Sequence, residues 1–111
     1  MARFVKGEIV VIPFPFSDLS SNKRRPALVL SDLTGNDIIL CQITSQQSAS
    51  DIHAIPISNV DLLAGTLVSA GNIRPTRLFT ADKNLIVKSV GTVNSALYQK
   101  VVDEILGLIN A

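Results

Sequence analysis

Short β-branched runs alternate with polar, breaker-rich stretches along most of the chain, and only the last segment takes up a helical period. Residues 7–16 open on a glycine and continue Glu-Ile-Val-Val-Ile-Pro-Phe-Pro-Phe, which predicts a strand. Proline cannot donate to a ladder, so Pro13 and Pro15 push the end of that strand toward an edge or a bulge. Phe14 and Phe16 have the same parity and share one face. Residues 17–23 are polar and read as a surface loop.

The next segment carries the most information. Lys23-Arg24-Arg25-Pro26-Ala27-Leu28-Val29-Leu30-Ser31 leads two cations into an apolar run, and Cys41-Gln42-Ile43-Thr44-Ser45-Gln46 leaves a second run through hydroxyls and amides. Asp32, Thr34, Gly35, Asn36 and Asp37 lie between, residue types that tolerate the left-handed region or cap their own backbone. The pattern predicts strands over 25–31 and 37–45, joined as an antiparallel hairpin centred between Thr34 and Gly35. Arg25 then lies opposite Thr44. Opposed residues share a face, with Cβ atoms roughly 4.5–5.5 Å apart.

Farther along, residues 46–52 read as a second exposed loop and His53–Ile57 as a short strand. Residues 58–65 predict one helical turn, with Ser58 as N-cap, Asp61 at N3 and Gly65 as its left-handed stop. Thr66–Ser69 and Ile86–Val93 read as further strands, and 71–85 is ambiguous. From Asn94 or Ser95 a helix begins. Leu97, Tyr98, Val101, Ile105, Leu108 and Ile109 form its apolar stripe, and Gln99, Lys100, Asp103 and Glu104 face water. The sum is a β-rich α+β fold: a small antiparallel barrel or strongly bent sheet with a short helix, capped on one face by the C-terminal helix.

Composition narrows the function classes. A chain of 111 residues with 47% apolar and 17% charged residues fits a single domain over 1–111, burying roughly two thirds of its unfolded surface without a staple. Ten basic residues against nine acidic rule out a histone-like polycation, so any nucleic-acid contact needs a local patch. Lys23, Arg24 and Arg25 form one, and Arg74 with Arg77 a second. The single cysteine favours a reducing cytoplasm, with Cys41 as a small buried hydrophobe. The first residues lack a signal-peptide core, and no run reaches membrane-spanning length.

No phosphate-binding glycine loop, metal-ligand cluster or nucleophile elbow is present, so no metal or cofactor is expected. One histidine cannot run a two-imidazole nuclease. Arg25 suits an electrostatic role, because its planar fork matches two phosphate oxygens and strengthens as charge builds in the transition state. Thr44 can donate a hydroxyl to the same phosphate, with Ser45 and Gln46 continuing the polar rim. Against this stands a plain alternative: a solvated cation at the start of a strand beside an ordinary β-branched residue. Arg74 and Arg77, flanking Pro75, are either surface charge or RNA-backbone contacts. The 17–23 loop is placed to cover bound substrate, and His53 reads as a solvated loop residue near Asp51.

Lys6-Gly7-Glu8-Ile9-Val10, Arg24 to Ser31 and Gln42 to Gln46 together resemble the MazF/PemK toxins, in order, in spacing and in the helical end. The resemblance covers nearly the whole chain. It implies an SH3-like barrel that dimerises and cuts single-stranded mRNA at short sequences without metal or ribosome. The 2′-hydroxyl attacks the adjacent phosphorus, leaving a 2′,3′-cyclic phosphate and a 5′-hydroxyl. Arg25 matches the motif arginine, which stabilises the phosphorane and can act as acid, and Thr44 the residue orienting the phosphate. Arg24, Lys23, Ser45, Gln46, Arg74 and Arg77 are the implied substrate contacts, Arg74 falling where some members carry another functional arginine. Two positions depart from the family: Thr76 and Ser20 stand where some members have acidic residues, and the general base is unassigned. The implied partner is a cognate antitoxin whose disordered C-terminal tail wraps the RNA-binding surface, with Phe14, Phe16 and Leu19 as apolar receivers. Alternatives within the same fold are a gyrase-type toxin that binds a protein target and a degenerate toxin retaining only RNA or antitoxin binding.

Overall fold

The computed structural model describes residues 3–13, 24–45 and 51–111. Seven strands make one sheet: β1 (Glu8–Pro13), β2 (Arg24–Asp32), β3 (Asp37–Thr44), β4 (Ile55–Ile57), β5 (Leu62–Gly65), β6 (Gly71–Asp82) and β7 (Lys88–Val93). Their order is β4-β6-β3-β2-β1-β7-β5, and every neighbouring pair is antiparallel. The result is an open half-barrel followed by helix α1 (Ser95–Ile109), the β-rich α+β architecture that the pattern predicts. No helix among the described residues is long and apolar enough to cross a membrane.

The sheet is buried on both faces, which explains why its strands read as continuous apolar runs. Ile9, Leu28, Cys41 and Ile43 belong to one cluster, with Leu97 and Val101 of α1 packed over it. Their sequence neighbours Val10, Ala27, Val29 and Leu40 belong to the second, with Phe4, Phe79 and Ile86 against it. Asn94 caps α1 by accepting from the Leu97 N–H at 2.7 Å. Tyr98 ties the helix to the sheet by donating its hydroxyl to the Leu30 carbonyl at 2.7 Å.

The central hairpin forms as expected. Gly35 supplies the left-handed residue of the turn, with φ of +91°. Ala27, Leu28 and Val29 face Gln42, Cys41 and Leu40, the predicted register, while Ser31 faces Ile39 because β2 holds one extra residue at Leu30. Lys83 braces the turn from below. It is only 8% exposed, donates to the carbonyls of Leu33 and Gly35 at 2.9 Å each, and pairs with Asp32.

Three element expectations change. The helical turn at 58–65 shrinks to a 3-10 turn over Asn59–Asp61, with the Asp61 carboxylate accepting from the Ser58 N–H at 3.0 Å, and Gly65 ends a strand, not a helix. Thr66–Ser69 is not a strand. It crosses from β5 to β6, and the Asn59 side chain takes the place of a neighbouring strand by holding the N–H of Leu67 at 2.7 Å and its carbonyl at 3.4 Å. The ambiguous stretch resolves into the twelve-residue β6, which runs along β3 from Asp82 opposite Asp37 to Asn72 opposite Thr44.

Candidate functional site

The β2–β3 ladder ends at Ala27 opposite Gln42. Beyond it Arg25 pairs with Ile12 of β1 and Thr44 with Asn72 of β6. A groove of about 360 Å³ lies at this end of the sheet, with Arg24 and Pro26 on one side and Ile43, Thr44 and Ser45 on the other. Val11 and Val90 contribute an apolar floor, residues 66–71 a wall, and Lys88 a second cation. Lys88 pairs with Val11, and Val11 with Pro26, so the groove crosses three strands.

Alternation sorts the predicted residues between faces. Arg25 follows Val29 and Ala27 at the end of the second cluster, with Ile12 beside it, and is half-buried. Arg24 is exposed and lines the groove. Thr44 borders it, and Ser45 stands exposed at its rim. The structure thus gathers Arg24, Arg25, Thr44 and Ser45 at one sheet end, with Arg24 in the groove and Arg25 on the adjoining face. Lys23 and Gln46 lie outside the described residues, as do Ser20, Phe14, Phe16, Leu19 and the 17–23 loop.

A second cavity, of about 310 Å³, adjoins the groove through Ser45, Ala70 and Gly71. Asn72, a nearly buried amide, lines it with Ser58 and Asp61. Gly71 is required between the two spaces. A Cβ there would stand 2.5 Å from the Thr44 carbonyl oxygen, so β6 approaches the end of β3 only with glycine at this position.

The second predicted patch divides. Between Ile73 and Leu78, β6 bulges away from β3 through Arg74, Pro75, Thr76 and Arg77. Arg77 and Thr76 are exposed on this bulge. Arg74 instead turns inward to Asp51, with side chains 16% and 7% exposed. The same carboxylate accepts from the His53 N–H at 2.9 Å, and His53 Nδ1 meets Glu104 Oε2 of α1 at 2.8 Å. Burial pushes the Asp51 carboxyl up, but the His53 amide and the Arg74 guanidinium outweigh it and hold it below its ordinary value. His53 and Glu104, which the sequence places in water, are therefore partners.

Cys41 is wholly buried, and its thiol donates to the Arg74 carbonyl at 3.0 Å. Burial pushes the thiol up to about 12, so Cys41 carries no nucleophilic role. Among the described residues, no group of three His, Cys, Asp or Glu could hold a metal ion.

Lys88 is the groove residue that sequence reasoning missed. Its place depends on β7 returning to β1 across most of the chain, a pairing without a local signal. The Arg74–Asp51 pair was hidden for the same reason.

No curated protein sequence matches the chain significantly. Solved structures do. An endoribonuclease from Mycobacterial species, described in complex with its cognate antitoxin, is similar with a TM-score of 0.75 at 13% identity, over 97% of this chain and 96% of that one. The Mycobacterium tuberculosis toxin MazF-mt6 is similar at 0.70 and 13% identity, over 93% and 96%. MazF from Deinococcus radiodurans reaches 0.69 at 20% identity, over 96% of each chain. At these identities the likeness is one of fold. The model of the PemK-like, MazF-like toxins of type II toxin–antitoxin systems matches residues 5–109, nearly the whole length, and the chain belongs to that family.

Proposed function

We propose that residues 1–111 form a single cytoplasmic toxin domain, an endoribonuclease that cuts single-stranded mRNA at short sequences by internal attack of the 2′-hydroxyl, without metal. The observation that supports this reading is the end of the β2–β3 ladder at Ala27 and Gln42, with Arg25 and Thr44 just beyond it beside a cationic groove. An RNA strand laid over this end meets Arg25 and Thr44 at the scissile phosphate, with Arg24, Lys88 and Ser45 along the groove and Lys23, Gln46 and Arg77 as further contacts. Arg25 stabilises the charge that builds on the phosphorane and is available as the acid; Thr44 orients the phosphate. The adjoining cavity offers the Asn72 amide and the Ser58 hydroxyl to the edge of an unpaired base.

The partners of this reading are a second copy of the chain and a cognate antitoxin, whose disordered C-terminal tail would compete with RNA for the cationic end. Induced expression in a bacterium tests it against its main rival. Rapid loss of mRNA with intact DNA supports the nuclease. Gyrase-dependent DNA breaks with intact mRNA would move the chain to the protein-binding toxins.

A further inference from the structure

We infer that the cavity beside the groove is the pocket for one base of the RNA, and that Asp61 and Asn72 make guanine the base it accepts. The inference rests on the nuclease reading above and deepens it. Asn72 is only 8% exposed and lines the cavity, yet its side-chain amide has no hydrogen-bond partner among the described residues. A buried amide left unmatched costs stability, so a ligand that pairs with it gains accordingly. Asn72 of β6 lies directly opposite Thr44 of β3 on one side and Pro56 of β4 on the other. Opposed side chains share a face, with Cβ atoms roughly 4.5–5.5 Å apart. A base seated on Asn72 therefore belongs to a nucleotide next to the phosphate that Thr44 orients.

Charge separates the two spaces. Arg24 and Lys88 line the groove and suit phosphates; among the described residues no lysine or arginine lines the cavity, and Asp61 does. The Asp61 carboxylate accepts through Oδ2 from the N–H of Ser58, another lining residue, at 3.0 Å. Its Oδ1 has no hydrogen-bond partner among the described residues. A carboxylate wall repels phosphate and takes N–H donors. Asp61 is also fixed in place, because its carbonyl accepts from the Asn94 N–H at 2.8 Å, between β7 and α1. Among the four bases, guanine alone sets two donors, N1–H and the 2-amino group, beside an acceptor, O6. Asp61 accepts from the donors and the Asn72 amide donates to O6. Adenine and cytosine place an unprotonated ring nitrogen beside their amino group, and uracil flanks its one N–H with carbonyl oxygens. Each of these turns a lone pair on the carboxylate.

Two arms test the pocket. In the first, cuts by the parent in long single-stranded RNA are mapped by their 5′-hydroxyl ends. Single-turnover rates are then measured on short RNAs copied from the best site, with guanine, inosine, adenine, cytosine or uracil beside the cut. In the second, uncleavable 2′-O-methyl oligouridines carrying one of these bases at the centre are bound to the parent, Asp61→Asn and Asn72→Ala. Guanine should flank the mapped cuts on one side, and replacing it by another natural base should slow cleavage and weaken binding by about 10- to 100-fold. Inosine keeps N1–H and O6 but lacks the 2-amino group, and should lose about tenfold. Asp61→Asn keeps an oxygen for the Ser58 N–H and should bring the bases nearly level, and Asn72→Ala should shrink the preference likewise. Cuts without guanine on either side, inosine handled as well as guanine, or folded variants that keep the parent's ranking of bases would overturn the inference. If the variants do not fold, the inosine comparison on the parent decides alone. A parent that leaves RNA intact, or Arg25→Ala that cuts as well as the parent, would bring down the nuclease reading itself. The binding arm then still decides the pocket: tighter binding of the guanine oligouridine supports it, and equal or no binding overturns it.

Discussion

Single side chains carry the chemistry, and they differ in how readily they can be recognised. Arg25 was marked by its place at the mouth of an apolar run, and the local hairpin register set it opposite Thr44; the β2–β3 ladder keeps that register as far as Ala27 and Gln42, two residues short of the pair. Arg25→Ala should abolish cleavage, and Arg25→Lys should recover little of it, because an ammonium cannot form the bidentate fork; initial rates on a short RNA measure both. Cys41 was legible as a buried hydrophobe, and its thiol should resist alkylation at neutral pH until the protein unfolds. Two aspartates make the fold sensitive to acid. The Lys83 ammonium and the Phe4 amide hold Asp32 below its ordinary value of 3.8, and Asp51 is likewise held below it. A depressed folded value stabilises the protein fully above the ordinary one and ceases to do so as pH falls through the folded one. Melting temperature should therefore be level above about pH 5 and fall steeply below about pH 4, and Asp32→Asn should start lower and fall less.

At the level of elements, the strands with local signals were found, whereas β6 stayed ambiguous and β5 read as part of a helical turn. The hairpin announced itself through Gly35 and flanking apolar runs, and α1 through its stripe and Asn94. Leu97 and Val101 are buried as that stripe requires, whereas Ile109, at the helix end, is exposed. Strand β6 was opaque because a proline and two arginines interrupt it, and only its long pairing with β3 holds them extended around a bulge. Thr66–Ser69 misled in the opposite sense: a β-branched pattern there serves a crossover pinned by Asn59. Asn94→Ala should cost about 1 kcal/mol by chemical denaturation and leave cleavage per folded molecule unchanged. Gly71→Ala should do more damage to activity than to folding, because the clash with the Thr44 carbonyl falls at the end of β3 proposed to meet the phosphate. Cleavage rates normalised to folded protein read that difference.

For the whole molecule, the architecture was legible as a class and its sheet order was not. Alternating runs imply a bent antiparallel sheet under a helix, but β7 beside β1 and β5 beyond it are decided by closure of the two apolar layers, over separations that no local pattern encodes. The same closure places Lys88 across from Arg24 and turns Arg74 toward Asp51, which is why the candidate site was half visible beforehand. The proposed RNA contacts gather at one end of the central hairpin, and Arg74 of β6 is paired with Asp51. The most direct measurement is to incubate the purified protein and its Arg25→Ala variant with long single-stranded RNA in the presence of EDTA and to capture the new ends by a 5′-hydroxyl-selective ligation. The parent should give discrete cuts with 5′-hydroxyl ends at a short recurring sequence and Arg25→Ala should give none. Intact RNA with the parent, ends carrying 5′-phosphate, or equal cutting by both proteins would contradict the account.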